Sequence, residues 1–216
     1  MIGIVFDLDG TLVESAPAIC KIANAFMAER GLRPLDLAET RAYVGNGAAT
    51  FLERALKARS AFDMEAFPAQ CERFLAHYAA APPEDNLPMP GSVAALAQLA
   101  ATGHRLALCT NKPTEPTMAI VEALGWSDLI RVVVAGDTLP YRKPHPAPLL
   151  KAAKDLDTPT VFSIGDSEVD CACAMAAGLP FVLYTGGYLN GDLAAEPVGR
   201  FADFAGLPSL INRLAA

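Results

Sequence analysis

A short apolar run at residues 2–6 ends in Asp7-Leu8-Asp9-Gly10-Thr11, which sets two carboxylates two positions apart. A run this short, rich in Ile, Val and Phe, reads as a buried strand, and parallel α/β sheets bind ligands at the carboxyl ends of their strands. Placed there, Asp7 can attack phosphorus, while Asp9 can protonate the leaving oxygen and then deprotonate water. Gly10 lets backbone N–H groups approach a phosphate. An isolated Asp-Gly is ordinary turn sequence. The whole string, directly after a strand, is what points to chemistry.

Three further polar clusters sit at the ends of apolar runs or the starts of helical ones. Thr110-Asn111-Lys112 follows residues 105–109, and its hydroxyl and neighbouring amides, at Thr110 and Asn111, suit a phosphoryl oxygen. A Thr-Asn pair in that place also serves as a plain turn or cap. Arg142-Lys143-Pro144-His145-Pro146 presents the Lys143 ammonium, able to neutralise a transferring phosphoryl group and to separate carboxylates electrostatically. His145, between two prolines, reads as a residue that packs or hydrogen-bonds locally. Gly165-Asp166-Ser167-Glu168-Val169-Asp170 sets Asp166 and Asp170 one helical turn apart at a helix start, where the dipole favours carboxylates even without function. With Asp7 they make the oxygen-rich shell that Mg²⁺ prefers, Glu168 falling outside it.

Converging these clusters requires a sheet. Residues 2–6, 105–109, 132–135, 160–164 and 181–184 read as five buried strands, and helical patterns at 92–101, 117–124, 147–156 and 167–177 separate the last four. That alternation predicts a doubly wound, Rossmann-like α/β core with a parallel sheet. About a hundred residues lie between the first two strands, far more than the ~10–15 of one crossover helix. Within them three stripes follow helical spacing: Ile19, Ile22, Phe26; Phe51, Leu52, Leu56; and Phe67, Phe74, Tyr78, with Ser15 capping the first. Pro82-Pro83-Glu84-Asp85-Asn86 reads as a linker. The expected organisation is a catalytic core of residues 1–14 and 83–216, interrupted by an all-helical cap domain at 15–82.

Composition narrows the function classes. A net charge of −7 offers no electrostatic footprint for nucleic acid or an anionic membrane, so neither is expected as a partner. No stretch approaches the ~20 apolar residues of a membrane span, and charged Asp7 interrupts the opening run before it could form a signal peptide. Five cysteines without metal-ligand spacing read as buried thiols in a reducing compartment. A cytoplasmic protein acting on a small phosphorylated metabolite is the expectation, with monomer or homodimer left open.

Taken in order, Asp7-Leu8-Asp9-Gly10-Thr11, Thr110, Lys143 and Gly165-Asp166-Ser167 with Asp170 resemble the four motifs of haloacid dehalogenase-type hydrolases, over the whole chain. The resemblance implies Asp7 as nucleophile, Asp9 as general acid/base, and Thr110 and Lys143 as holders of phosphate. It also implies Mg²⁺ held by Asp7, the Asp9 backbone carbonyl and Asp166, with Asp170 supporting.

Two longer stretches, Val44-Gly45-Asn46-Gly47-Ala48 with Glu53-Arg54-Ala55-Leu56, and Gly136-Asp137-Thr138-Leu139-Pro140-Tyr141 running into Arg142, are similar to the phosphoglycolate phosphatases of that superfamily. Gly45, Asn46 and Gly47 at a helix start offer amides to a small carboxylate, or simply cap the helix, and Arg54 adds charge or faces solvent. Glu168-Val169 departs from the family's usual pairing. The function this implies is Mg²⁺-dependent hydrolysis of 2-phosphoglycolate through an aspartyl phosphate. The alternatives are a phosphatase for another small phosphomonoester such as a sugar phosphate, a phosphomutase and, more remotely, a receiver-like signalling module.

Overall fold

In the computed structural model, which describes residues 1–216, the opening apolar run forms β1 (Gly3–Phe6), buried at every position. The chain leaves the sheet through a two-residue strand, β2 (Val13–Glu14), and four helices, α1 (Ala16–Ala28), α2 (Leu37–Tyr43), α3 (Ala48–Lys57) and α4 (Phe67–Ala79). It returns through β3 (Leu87–Pro88), antiparallel to β2. Helices and strands then alternate: α5 (Ser92–Ala101), β4 (Arg105–Cys109), α6 (Thr114–Ala123), β5 (Ile130–Val134), α7 (Ala147–Leu156), β6 (Val161–Gly165), α8 (Glu168–Ala177) and β7 (Phe181–Tyr184). The short β8 (Gly199–Phe201) and α9 (Leu207–Leu214) finish the chain.

The sheet runs β5-β4-β1-β6-β7-β8, with every neighbouring pair parallel. Strands are added to one side of β1 as far as β5, after which the chain crosses to β6 on the other side. The switch point therefore lies at the carboxyl end of β1. Side chains alternate across the sheet: Ile4, Phe6, Leu106, Leu108 and Ile164 face a core closed by α5, α6 and α9, while Val5, Ala107, Cys109 and Leu183 face one closed by α7 and α8. Covering both faces is what lets these strands be uniformly apolar. A third core, with Phe26 edge-on to Phe74 and Phe51 stacked on it, holds the helical insertion together.

Several elements differ from expectation for local reasons. The third core strand starts at Ile130 rather than 132 and ends before Ala135. Helix α6 starts at Thr114 because Pro113 and Pro116 are compatible with a helix start and its first turn. Helix α2 carried a signal, Asp36 with Glu39 three positions on, which form a reciprocal capping box. Strand β8 has one buried residue in three, so no periodicity announced it. All five cysteines are free thiols, and burial pushes Cys109 up to about 12, which leaves it inert. No helix is long and apolar enough to cross a membrane.

Ser15 stands at the N-cap of α1, but its hydroxyl caps nothing and has no hydrogen-bond partner. Tyr188, after β7, takes that role: its phenol oxygen accepts the Ser15 and Ala16 N–H groups at 3.1 and 3.0 Å and donates to the Glu14 carboxylate. Removing that oxygen orphans the Ser15 N–H and leaves the Ala16 N–H only the Glu14 carboxylate, at 3.3 Å. Tyr188→Phe is therefore expected to lower unfolding free energy by about 1–3 kcal/mol. Urea denaturation should show a lower midpoint at unchanged slope; an unmoved midpoint would contradict this reading of the cap.

Candidate active site

Asp7 continues the line of β1, its N–H donating to the Ile164 carbonyl of β6 at 2.9 Å. The chain then coils on itself: the Leu8 carbonyl accepts N–H groups from Thr11, Leu12 and Val13 at 3.2, 3.0 and 3.0 Å. Gly10 lies inside that coil with φ +87°, and a Cβ there would stand 2.5 Å from an Asp166 oxygen. Both the backbone conformation and the space demand glycine. Thr11 donates its hydroxyl to the other Asp166 oxygen at 2.6 Å, tying the first cluster to the fourth.

Carboxylate oxygens of Asp7, Asp166 and Asp170 all lie within 4.8 Å of one another. Lys143 reaches between two of them, 2.8 Å from Asp7 and 2.6 Å from Asp170. Asp170 also forms a capping box with Ser167 at the start of α8. Three buried acids thus share one ammonium. Burial pushes Asp7 up to about 7, opposed by Lys143 and reinforced by Asp170. Burial, Asp170 and Asp7 together raise Asp166 well above the usual carboxylate range. Burial alone would discharge Lys143, but Asp170 and Asp7 hold it well above its ordinary value, so it stays cationic.

On the other side of Asp7 a cleft opens beneath the helical insertion, enclosing about 390 Å³ with open solvent included. Asp7, Asp9 and Thr110 line its floor, and Gly45, Gly47, Phe51 and Tyr78 its roof. The structure therefore brings Asp7, Asp9, Gly10, Thr110, Lys143, Asp166 and Asp170 to one end of the sheet.

The Asn111 side chain is occupied within the protein, which leaves its backbone N–H as the group toward phosphate. Its side-chain amide donates to the carbonyls of Gly45 and Lys143, both at 2.9 Å, and its oxygen accepts the Lys143 N–H at 2.9 Å. The side chain has become a clamp between two loops. Asn46 and Arg54 do not line the cleft: Arg54 is held by the Asn46 side chain at 2.8 Å and the Tyr43 carbonyl at 3.1 Å. Its guanidinium is half-buried and turned to neutral oxygens of its own loop rather than to the cleft. His145 accepts the Ala147 N–H and stacks on Tyr141, a local role. Lys112, named in the sequence only as part of its motif, is buried and bonded to Asp9 at 2.9 Å.

This constellation has relatives. Residues 4–184 match the profile of the family described as haloacid dehalogenase-like hydrolase. The chain belongs to that family. Over its full length it is 44% identical to the whole of a phosphoglycolate phosphatase from Cereibacter sphaeroides. It is 38% identical to a phosphoglycolate phosphatase from Yersinia pestis, covering 96% of this chain and 94% of that one. A crystal structure of a predicted phosphoglycolate phosphatase from Haemophilus somnus superposes with a TM-score of 0.86 at 29% identity, covering 96% of each chain.

In this hydrolase the acidic cluster is consistent with a divalent cation. Its donors are carboxylate oxygens, the hard ligands such ions select. Burial first, and then the neighbouring carboxylates, raise the proton affinity of Asp7 and Asp166, so the site holds its acids ionised only at a cost. A dication offsets that cost. A Cβ at Gly187 would stand 2.3 Å from Asp166, so the loop after β7 also needs a glycine to fit against this acid.

Proposed function

We propose that this chain is a Mg²⁺-dependent phosphatase that hydrolyses 2-phosphoglycolate to glycolate and phosphate. The observation that carries the chemistry is Asp7, its carboxylate beside the Lys143 ammonium at the switch point of the sheet, with Asp9 two residues on and opening to the same cleft. The substrate is taken from the full-length likeness to phosphoglycolate phosphatases. Residues 15–82 act as a cap over a core of 1–14 and 83–216.

In the first step an Asp7 oxygen bonds to phosphorus while the bond from phosphorus to the leaving oxygen breaks, and Asp9 gives that oxygen its proton. Lys143, the backbone at Gly10 and Thr110 hold the phosphoryl oxygens. In the second step Asp9, now a carboxylate, takes a proton from water, whose oxygen bonds to phosphorus as the Asp7–phosphorus bond breaks. Asp7 is restored and phosphate leaves. Asp7, Asp166 and the Asp9 carbonyl, supported by Asp170, would hold Mg²⁺, which when bound lowers the negative charge that the nucleophile meets on the phosphoryl group.

A phosphate-release screen over small phosphomonoesters tests this reading. The expected result is the highest kcat/KM for 2-phosphoglycolate, loss of activity in excess chelator, recovery with Mg²⁺ and poor replacement by the larger Ca²⁺. A sugar phosphate hydrolysed better would replace the substrate. Full activity in chelator would remove the metal.

A further inference from the structure

Lys112 is the one cationic side chain among the residues that line the cleft, and its side chain is only 3% exposed. Its Nζ hydrogen-bonds to Asp9 alone, at 2.9 Å, and stands 5.2 Å from the centre of the Tyr78 ring on α4. An ammonium has three donors, so two N–H directions of a buried cation have no protein acceptor. Leaving charged donors unsatisfied in a closed place is costly unless something else arrives to meet them. Beside Lys112 the roof is the start of α3, where Gly47 at the N-cap brings no side-chain acceptor to the free amides.

The distance to Asp9 limits what that arrival can be. If Asp9 protonates the leaving oxygen, an anion seated on Lys112 lies only a few bonds from that oxygen. Thr110 and Lys112 are also tied through the backbone, the Thr110 hydroxyl oxygen accepting the Lys112 main-chain N–H at 3.2 Å. The phosphoryl end and Lys112 are thus neighbours on one loop.

We propose that Lys112 is the specificity-determining residue of this enzyme. It receives a carboxylate carried on the carbon next to the phosphate ester oxygen, and so selects 2-phosphooxy carboxylates over phosphate esters without an acid. The carboxylate shares or takes the ammonium that Asp9 holds, so recognition and release of the Asp9 side chain are one exchange. This assigns to Lys112 the charge that Arg54 was expected to supply, and it rests on the phosphoglycolate reading above.

The test compares 2-phosphoglycolate with ethyl phosphate, which keeps the two-carbon length and lacks the carboxylate. In wild-type protein the ratio of their kcat/KM values should strongly favour the acid. In Lys112→Met that ratio should fall at least ~30-fold, the loss residing mainly in KM for 2-phosphoglycolate, and Lys112→Arg should recover part of it. A folded Lys112→Met that keeps the wild-type ratio overturns the proposal, as does Lys112→Gln keeping it should the methionine variant not fold. Equal fall on both substrates also overturns it, because Lys112 would then serve only to place Asp9. If wild-type protein itself shows no preference for the acid, the substrate reading fails first, and the two failures are told apart.

Discussion

Asp7→Asn is expected to lower steady-state phosphate release by at least about 10⁴-fold, the scale on which removal of an essential nucleophile acts. The amide keeps the shape of the side chain and the strand-end backbone bond to Ile164, but it lacks the negative charge that makes a carboxylate oxygen a nucleophile toward phosphorus. The fold should not suffer. Lys143 keeps Asp170 at 2.6 Å, so the buried ammonium is not left alone. Stability should even rise in the metal-free protein. The Asp7 carboxyl is raised in the fold from 3.8 to about 7, so its contribution is fully present below pH ~4 and is lost as pH rises through about 7. Asparagine never ionises, so at pH 8 the variant should match or exceed wild type in denaturant midpoint. A variant with substantial turnover would remove the covalent route. One that is inactive because it is unfolded would contradict the charge balance described here.

The second large effect is at Asp9. Asp9→Asn should lower kcat for 2-phosphoglycolate by about 10²–10⁴-fold, the range for loss of a positioned acid/base. Asparagine is chosen over alanine because its carbonyl can still accept from Lys112, whose ammonium would otherwise be buried without a partner. The two half-reactions should separate. With p-nitrophenyl phosphate the leaving group needs little help, so Asp7 can still be phosphorylated. Its hydrolysis, which needs a base toward water, stalls. Rapid mixing should then show a burst of p-nitrophenol followed by a slow phase. A uniform slowing without a burst would place Asp9 outside the second step.

Residues close in sequence were the legible part of this molecule. Asp7 through Thr11 and Gly165 through Asp170 declare their chemistry because the spacing and the preceding strand are local. The apolar runs of β1, β4, β6 and β7 likewise report a sheet covered on both faces. What was not legible depends on pairs far apart in the chain. The Lys112–Asp9 bond joins residues 103 positions apart, and Tyr188 reaches back 173 positions to the start of α1. Nothing in either local sequence marks its partner. The same holds for the Asn111 side chain, whose amide is claimed by carbonyls that only folding brings near. Arg54 is a related case: nothing in the local sequence announced that its guanidinium would turn to Asn46 and the Tyr43 carbonyl.

The central claim is that the phosphoryl group passes through Asp7. The most direct test mixes Asp9→Asn protein with substrate, quenches within the first turnover and reduces the sample with borohydride, which converts an aspartyl phosphate to homoserine. Peptide mass spectrometry should find homoserine at position 7 and at no other aspartate, and none when substrate is omitted. Homoserine absent from position 7 while the same sample has released its alcohol, or present at Asp9, Asp166 or Asp170 instead, would contradict the account.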